Sequence, residues 1–467
     1  MSGAKVRAKV GLLPTGLRYY WDQFPGLKER SLGMLAALRT MVEEWADVVA
    51  PELVDSAEKS GRAGEMFRNE GVDIVFVFPV GYTPSMNMIP AVRSLDIPLR
   101  IVNAHIDRSY DYTTADTAAY LYHEGVCCVP EFAGTLTNMG KKFKVRTGAF
   151  ADARLQAELR ADLDGAAAAS FFRRMNIGLI GQVYTHMGDM PIDEHRLMRA
   201  TGRMLVRPEV EEIVNAYYRV SEDQLEEMYR QFRELYEVDD TVTNEHLRFS
   251  AQAAVAFDEI IHKYDIYAFG FYWWGESELV TQLRSQSGLA VSRLGAMGRP
   301  GITEGDVKSA MAMKILNLLG GGGIFVEFFS MDFDEDFILM GHDGPSNVNM
   351  AGSRPRLKHL EVHHGKSGHG LGIDFEVRTG VVTLVNLTQF DAGETFKLIY
   401  TVAEVVPGPT LNIGNPNCRV KVSRPIHEFV EAWCQQGPSH HIAAGHGDHS
   451  MPLESFAEAM KFRIVRV

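Results

Sequence analysis

Cysteine is scarce: Cys127, Cys128, Cys418 and Cys434 are the only four in 467 residues. None belongs to a CxxC pair, and the neighbours Cys127 and Cys128 cannot easily bridge each other, so no disulfide framework is expected. Long apolar runs are missing too. No stretch approaches the roughly 18 residues that a membrane-spanning helix needs, and MSGAKVRAKVGLLP is broken too early by Pro14 to serve as a secretory signal. These absences point to a reduced, cytoplasmic chain with no membrane partner. Positive charge is in deficit, with 47 Lys and Arg against 60 Asp and Glu, a net −13. No basic stripe is present, which disfavours a nucleic-acid surface. The glycine run at 320–323 lacks the GK[ST] ending of a phosphate loop. There is no internal repeat and no low-complexity segment.

Hydrophobic residues make up 46% of the chain, and its length exceeds what one core usually serves. Three regimes follow one another. In the first, KVRAKVGLLPTG, GVDIVFVFPVGYT and IPLRIVNAH read as strands, with helices such as LKERSLGMLAALRTMVEEWADVV between them. Strand–helix alternation of this kind implies a doubly wound parallel sheet. The pattern restarts at MNIGLIGQVYTHMGDM and runs through a further buried strand, YDIYAFGFYWW. After Gly320 the pattern becomes antiparallel β. GGGGIFVEFFSMDF and FILMGHDGP form one expected hairpin, and IDFEVRTGVVTLVNLTQF a second. The expected fold is α/β: two doubly wound parallel-sheet domains, 1–170 and 171–322, then a barrel-like antiparallel β domain at 323–467.

Ten of the sixteen histidines fall between His342 and His449, four of them in the short glycine-rich segment GPSHHIAAGHGDHS. Carboxylates decide what such a cluster does. A hairpin turn centred between Asp334 and Glu335 makes residues whose numbers sum to about 669 face each other. Glu327 and His342 then oppose at roughly 5 Å between Cβ atoms, within reach of one ion. Asp332, the competing carboxylate, sits by the turn. A second carboxylate, Glu304, lies in GRPGITEGDVKSAMAMKIL just before a helix from Val307, with Thr303 or Asp306 as its cap. Two carboxylates with two imidazoles suit Mn²⁺, Co²⁺ or Mg²⁺ better than a structural zinc.

GLAVSRLGAMGRPGITEGDVKSAMAMKIL, FVEFFSMDF, LMGHDGP, GPSHH and NAHIDRSYDY resemble, in order and approximate spacing, segments of the L-arabinose isomerase / L-fucose isomerase superfamily. The resemblance runs over nearly the whole chain. It implies three domains and a divalent metal, usually Mn²⁺, held by Glu304, Glu327, His342 and His441. It also implies that Glu304 and Glu327 carry the proton between C1 and C2 of an open-chain sugar. His105 and His440, with Arg18 read from its place at a strand end, are the candidate substrate contacts. A homo-oligomer, tetramer or hexamer, is implied, with one subunit's N-terminal domain completing another's pocket. The chain departs from the arabinose branch at TGLRYY, where Leu17 and Arg18 replace a small and an amide residue, and after Glu327. The sugar is therefore not fixed.

Each residue also has a plainer role open to it. Glu304 can simply favour a helix N-terminus, Glu327 can face outward from a strand, and His342 can be a satisfied core histidine. His440 and His441 can be solvated loop residues, and either can be the ligand. His105 can cap structure, and Arg18 can pair with a surface carboxylate. His446 and His449 read as loop or supporting residues, His363 and His364 as solvated, and FYWW as packing. The function expected is metal-dependent interconversion of an unphosphorylated aldose and ketose through an enediolate. The rivals are an epimerase or lyase on a related polyol or sugar acid, and a non-catalytic sugar-binding protein.

Overall fold

The computed structural model describes residues 6–275, 277–359, 370–389 and 396–467. His363, His364 and His369 lie outside them. The described chain forms two compact units. No described helix is long and apolar enough to cross a membrane, and all four cysteines are free thiols.

One unit comprises Val6–Phe171 together with Met451–Met460. Its sheet has five parallel strands in the order Asp47–Val49, Lys9–Thr15, Ile74–Pro79, Leu99–His105, Lys144–Ala149. The continuous apolar runs of the sequence are explained by burial on both faces. Ile74, Phe76 and Phe78 enter one core while Val75 and Val77 enter the other, as the two-residue period of a strand requires.

The helix residues Met451–Met460 belong to this unit although they come from the far end of the chain. Gly165 lets that segment approach closely: a Cβ there would lie 2.5 Å from the Pro452 carbonyl oxygen. Arg100, fully buried, makes paired 2.9 Å hydrogen bonds to Glu458. Its Nε lies 2.8 Å from the buried Asp162, which also accepts from Arg146 and from Ser455. Removing one partner of a buried ion pair leaves the other uncompensated, at about 3–5 kcal/mol. Arg100→Leu should therefore lower the unfolding free energy by about that much in urea titrations; a change below about 1 kcal/mol would mean that the network is not holding the segment.

The other unit contains Phe172–Ser450 and Lys461–Val467, so the second and third sequence regimes share it. Asn176–Gly181, Ile266–Tyr272 and Gly301–Ile302 form a small parallel sheet. Six antiparallel strands close into a barrel in the order Gly380–Thr388, Ile442–His446, Ile324–Asp332, Phe337–Gly341, Asn417–Lys421, Lys397–Val406, the last pairing back to the first. Closure leaves the barrel without free edges. Arg463–Arg466 adds in parallel to Lys397–Val406.

Two pairings differ from expectation. Leu371–Asp374 does not make a hairpin with Gly380–Thr388; it pairs with Arg356–His359 in a separate three-stranded sheet. Alternation marks a strand but not its partner. In the first hairpin the expected sum of 669 holds for Asp332↔Phe337, Met331↔Ile338 and Ser330↔Leu339. A bulge at Phe329 then consumes one residue, so Glu327 pairs with Gly341 rather than with His342. His342 falls just beyond the strand end.

Candidate active site

Parallel strands present ligands at their carboxyl ends. Here three such ends meet: Gly181 leads to Tyr184, Ile266–Tyr272 ends on Tyr272, and Gly301–Ile302 leads to Glu304. Tyr184 and Tyr272 pack edge to face at 5.2 Å. In FYWW, Phe271 and Trp273 are buried as packing residues, while Trp274 on the opposite side is exposed.

Glu304 sits in a one-turn 3₁₀ segment, Thr303–Gly305, with φ of +65°. The left-handed region costs a side-chain-bearing residue about 1–2 kcal/mol. Backbone contacts hold it there: Tyr184 N–H donates to the Glu304 carbonyl at 2.8 Å, and Gly305 presses so close to Gln182 that a Cβ would meet its carbonyl oxygen at 2.4 Å. Strain of this kind concentrates at functional sites. Glu304 Oε2 is buried without a hydrogen-bond partner and lies 3.6 Å from His441 Nε2. Burial pushes its carboxyl above the usual carboxylate range, against the pull of His441 and His440.

Asp306, two residues on, caps the helix Val307–Leu318 by accepting from Lys308 and Ser309 N–H. It is fully buried and also faces His441 Nδ1 at 3.0 Å. Burial alone would raise its carboxyl, but the hydrogen bond and charge of His441, with Lys308 and Ser309, hold it below the usual range. An ionised carboxylate only accepts, so His441 Nδ1 carries the proton and Nε2 is left for the pocket. His342 donates from Nδ1 to the Asp343 carbonyl at 2.6 Å, and its Nε2 meets His441 Nε2 at 3.0 Å. Two nitrogens held about 2.1 Å from one ion and about 90° apart would be about 3 Å from each other.

Glu304, His342 and His441 thus form one group of convergent ligand atoms, and Glu327, His440 and His441 a second. The structure brings Glu327 next to His440, whose Nε2 is 3.9 Å from Glu327 Oε2. His441 is common to both groups, and His440 enters only the second. The donor set fits a divalent cation: one buried carboxylate oxygen lacking a donor, and two imidazole Nε2 atoms converging on it. Asp332 is otherwise engaged, accepting from Asp334 and Glu335 N–H in the hairpin turn. His446 ends a barrel strand, and His449 donates to its carbonyl at 2.7 Å; among the described residues neither enters a ligand group.

Arg18 and His105 belong to the other unit. Arg18 is exposed just before the short helix Tyr19–Gln23. His105 ends the strand Leu99–His105 and lines a cavity of about 290 Å³ with Asp107, Arg108 and His123. Its Nδ1 accepts from Asp107 N–H at 2.9 Å, while Nε2 is buried without a partner. Sequence reading missed Asp189, whose Oδ2 accepts from the His440 backbone N–H at 2.8 Å and meets the His440 ring Nδ1 at 2.7 Å, and saw Asp306 only as a cap. The signal for Asp306 was its place two residues after Glu304; Asp189 had none.

Two family models match, the L-arabinose isomerase central domain over residues 201–322 and the L-arabinose isomerase C-terminal domain over 322–463. Together they span more than half of the chain. Among similar proteins, the L-arabinose isomerase of Geobacillus thermodenitrificans is 22% identical over 388 residues, covering 81% of this chain and 77% of its own length. That of Geobacillus kaustophilus is 22% identical over 439 residues, covering 90% and 87%. That of Bacillus subtilis is 22% identical over 374 residues, covering 77% and 74%. With the barrel, the carboxyl-edge glutamate and both domain models in agreement, the chain belongs to the L-arabinose isomerase / L-fucose isomerase superfamily, as a divergent member.

Proposed function

We propose that this protein is a metal-dependent aldose–ketose isomerase acting on an unphosphorylated sugar. The observation that carries the reading is the convergence of His342 Nε2, His441 Nε2 and the unpartnered Glu304 Oε2 on one point. Similarity to L-arabinose isomerases supports it. Glu304, His342 and His441, with Glu327 completing the set, would hold Mn²⁺ or another divalent cation such as Co²⁺ or Mg²⁺. When bound, such a cation supplies Lewis-acid polarisation of carbonyl and hydroxyl oxygens.

The chain's own groups do the proton work. Aldose–ketose conversion removes a proton from the carbon beside a carbonyl and returns it one carbon away, through an enediolate. Glu304 and Glu327 take these two roles, one as base and one as acid. His440 contacts a substrate hydroxyl. Arg18 and His105 are assigned to the substrate's far end, contributed by a neighbouring subunit of a cytoplasmic homo-oligomer, a tetramer or hexamer. Incubation with Mn²⁺ and a panel of pentoses, hexoses and 6-deoxyhexoses should yield a new ketose from at least one. An epimer or a dehydrated product instead would replace the reading with epimerase or lyase chemistry. Binding without any product would make the protein a sugar-binding scaffold.

The carboxylate behind a metal-binding histidine typically accounts for 10–100-fold in affinity. Asp306→Asn should weaken Mn²⁺ binding by about that factor in calorimetric titrations. Unchanged affinity would remove Asp306 from the account.

A further inference from the structure

Two buried lysines stand on the helix that follows Glu304, and neither has a part in the proton chemistry assigned above. Lys308 and Lys314 lie on Val307–Leu318, at 4% and 5% exposure. Each directs its amine to main-chain oxygen. Lys314 Nζ donates to the Gly298 carbonyl at 2.7 Å, on the stretch that leads into Gly301–Ile302 and Glu304. Lys308 Nζ donates to the carbonyls of Asp189 and Pro191, the latter at 3.1 Å. A buried amine is costly unless its donors are used, so these ties keep the two side chains inside.

Lys308 reaches a connection that also touches Glu304. No helix or strand spans 182–193, and the segment is held at separate points instead. Gln182 N–H donates to the Tyr272 carbonyl at 2.7 Å, and Tyr184 N–H to the Glu304 carbonyl at 2.8 Å. Further on, Asp189 Oδ2 accepts the His440 N–H at 2.8 Å, and Gln389 exchanges hydrogen bonds with the Asp193 main chain. Lys308 differs from these last two anchors. It stands four residues after Glu304, so it fastens the connection to the same turn and helix that the Tyr184 N–H meets.

We infer that Lys308 is a positioning residue: by tying Asp189 and Pro191 to the helix after Glu304, it holds the Tyr184 N–H on the Glu304 carbonyl and so keeps Glu304 in the left-handed conformation that presents its carboxylate. The tie does not depend on charge, because an amine in either form has two N–H donors for two carbonyls. An apolar side chain of the same length would leave both carbonyls facing a group that cannot donate. An unmet buried carbonyl is costly, so the segment would turn toward water and take the Tyr184 N–H with it. Glu304 would then relax. Residues with a side chain disfavour its φ of +65° by about 5–30-fold, and Gly305, at φ +75°, gives the turn a hinge. That the carboxylate serves catalysis rests on the isomerase reading; the tie between connection and turn does not.

The test compares the full-length wild type with Lys308→Met and Lys308→Gln. Met keeps the length of the stem and removes the donors, while Gln keeps a shorter donor and should fall between. Hydrogen exchange at residue resolution on the metal-free protein reads the tie directly. The Tyr184 amide should exchange about tenfold faster in Lys308→Met, within the range of the backbone preference. The interior of Val307–Leu318 and the strand Ile442–His446 should keep their protection. Titrated with Mn²⁺ alone, Lys308→Met should bind about tenfold more weakly. With the aldose that the wild type converts, kcat should fall by about the same factor and KM should change less. Where Lys308→Met does not fold, Lys308→Gln carries all three measurements. An unchanged Tyr184 amide would overturn the inference. So would unchanged Mn²⁺ affinity with that amide freed, since Glu304 would then be presented without the tie. Protection lost throughout the helix and the barrel strand would overturn it too, making Lys308 a general stabiliser. Failure of the isomerase reading shows differently: the wild type converts no aldose, while the exchange and Mn²⁺ results stand.

Discussion

Glu304→Gln and Glu327→Gln should each lose at least about 100-fold in kcat, the lower end of what general acid–base catalysis contributes. The amide nearly preserves shape and can still offer an oxygen to a cation, but it cannot take up or return a proton. The losses should fall on kcat more than on KM, because binding of the open-chain sugar uses other contacts. For Glu304 the substitution also tests the backbone. Its φ of +65° is tolerated about as well by Gln as by Glu, so Tm should change little and the kinetic loss can be read as chemistry. A near-normal rate in either variant would refute the assignment of that carboxylate. Asp332 offers no fallback, since the hairpin turn already uses its side chain.

His441→Ala should abolish activity and strip the metal together. This side chain is fully buried, backed by Asp306 at 3.0 Å and facing His342 at 3.0 Å. It is the one residue shared by both ligand groups. His446→Ala and His449→Ala should retain metal, being members of neither. Metal content by mass spectrometry on the purified variants separates the cases. If His440→Ala loses the metal and His441→Ala keeps it, the ligand is one residue earlier.

Much of this arrangement could be read from residue patterns because it depends on local rules. The run Ile74–Pro79 is apolar on both faces, so it announces a buried parallel strand. A cap at Thr303 or Asp306 before VKSAMAMKILNL announces a helix, and Asp306 is the residue that caps it. What escaped is non-local. The bulge at Phe329 leaves no mark in FVEFFSMDF, and one extra residue shifts Glu327 from His342 to Gly341. The partner of Leu371–Asp374 is chosen by tertiary packing, not by alternation. Asp189 acts on a histidine 251 positions away, and Arg100 anchors Glu458 across 358. Pairs so far apart have no periodicity to betray them. The histidine crowding near the chain end is explained in part: His441 and His440 face the carboxylates, while His446 and His449 finish a barrel strand and its turn.

The central claim is that two carboxylates beside the His342–His441 pair move a proton between adjacent carbons of an open-chain sugar. It is tested most directly by running the Mn²⁺-loaded protein on a convertible aldose in D₂O and recording the product by NMR. A carboxylate-held proton can exchange with solvent, so the account predicts deuterium at the carbon that gained hydrogen and no product in rigorously metal-free samples. Complete retention of the substrate hydrogen would contradict it, pointing to a hydride shift in which Glu304 and Glu327 serve only the metal. Full turnover without metal would contradict it as well.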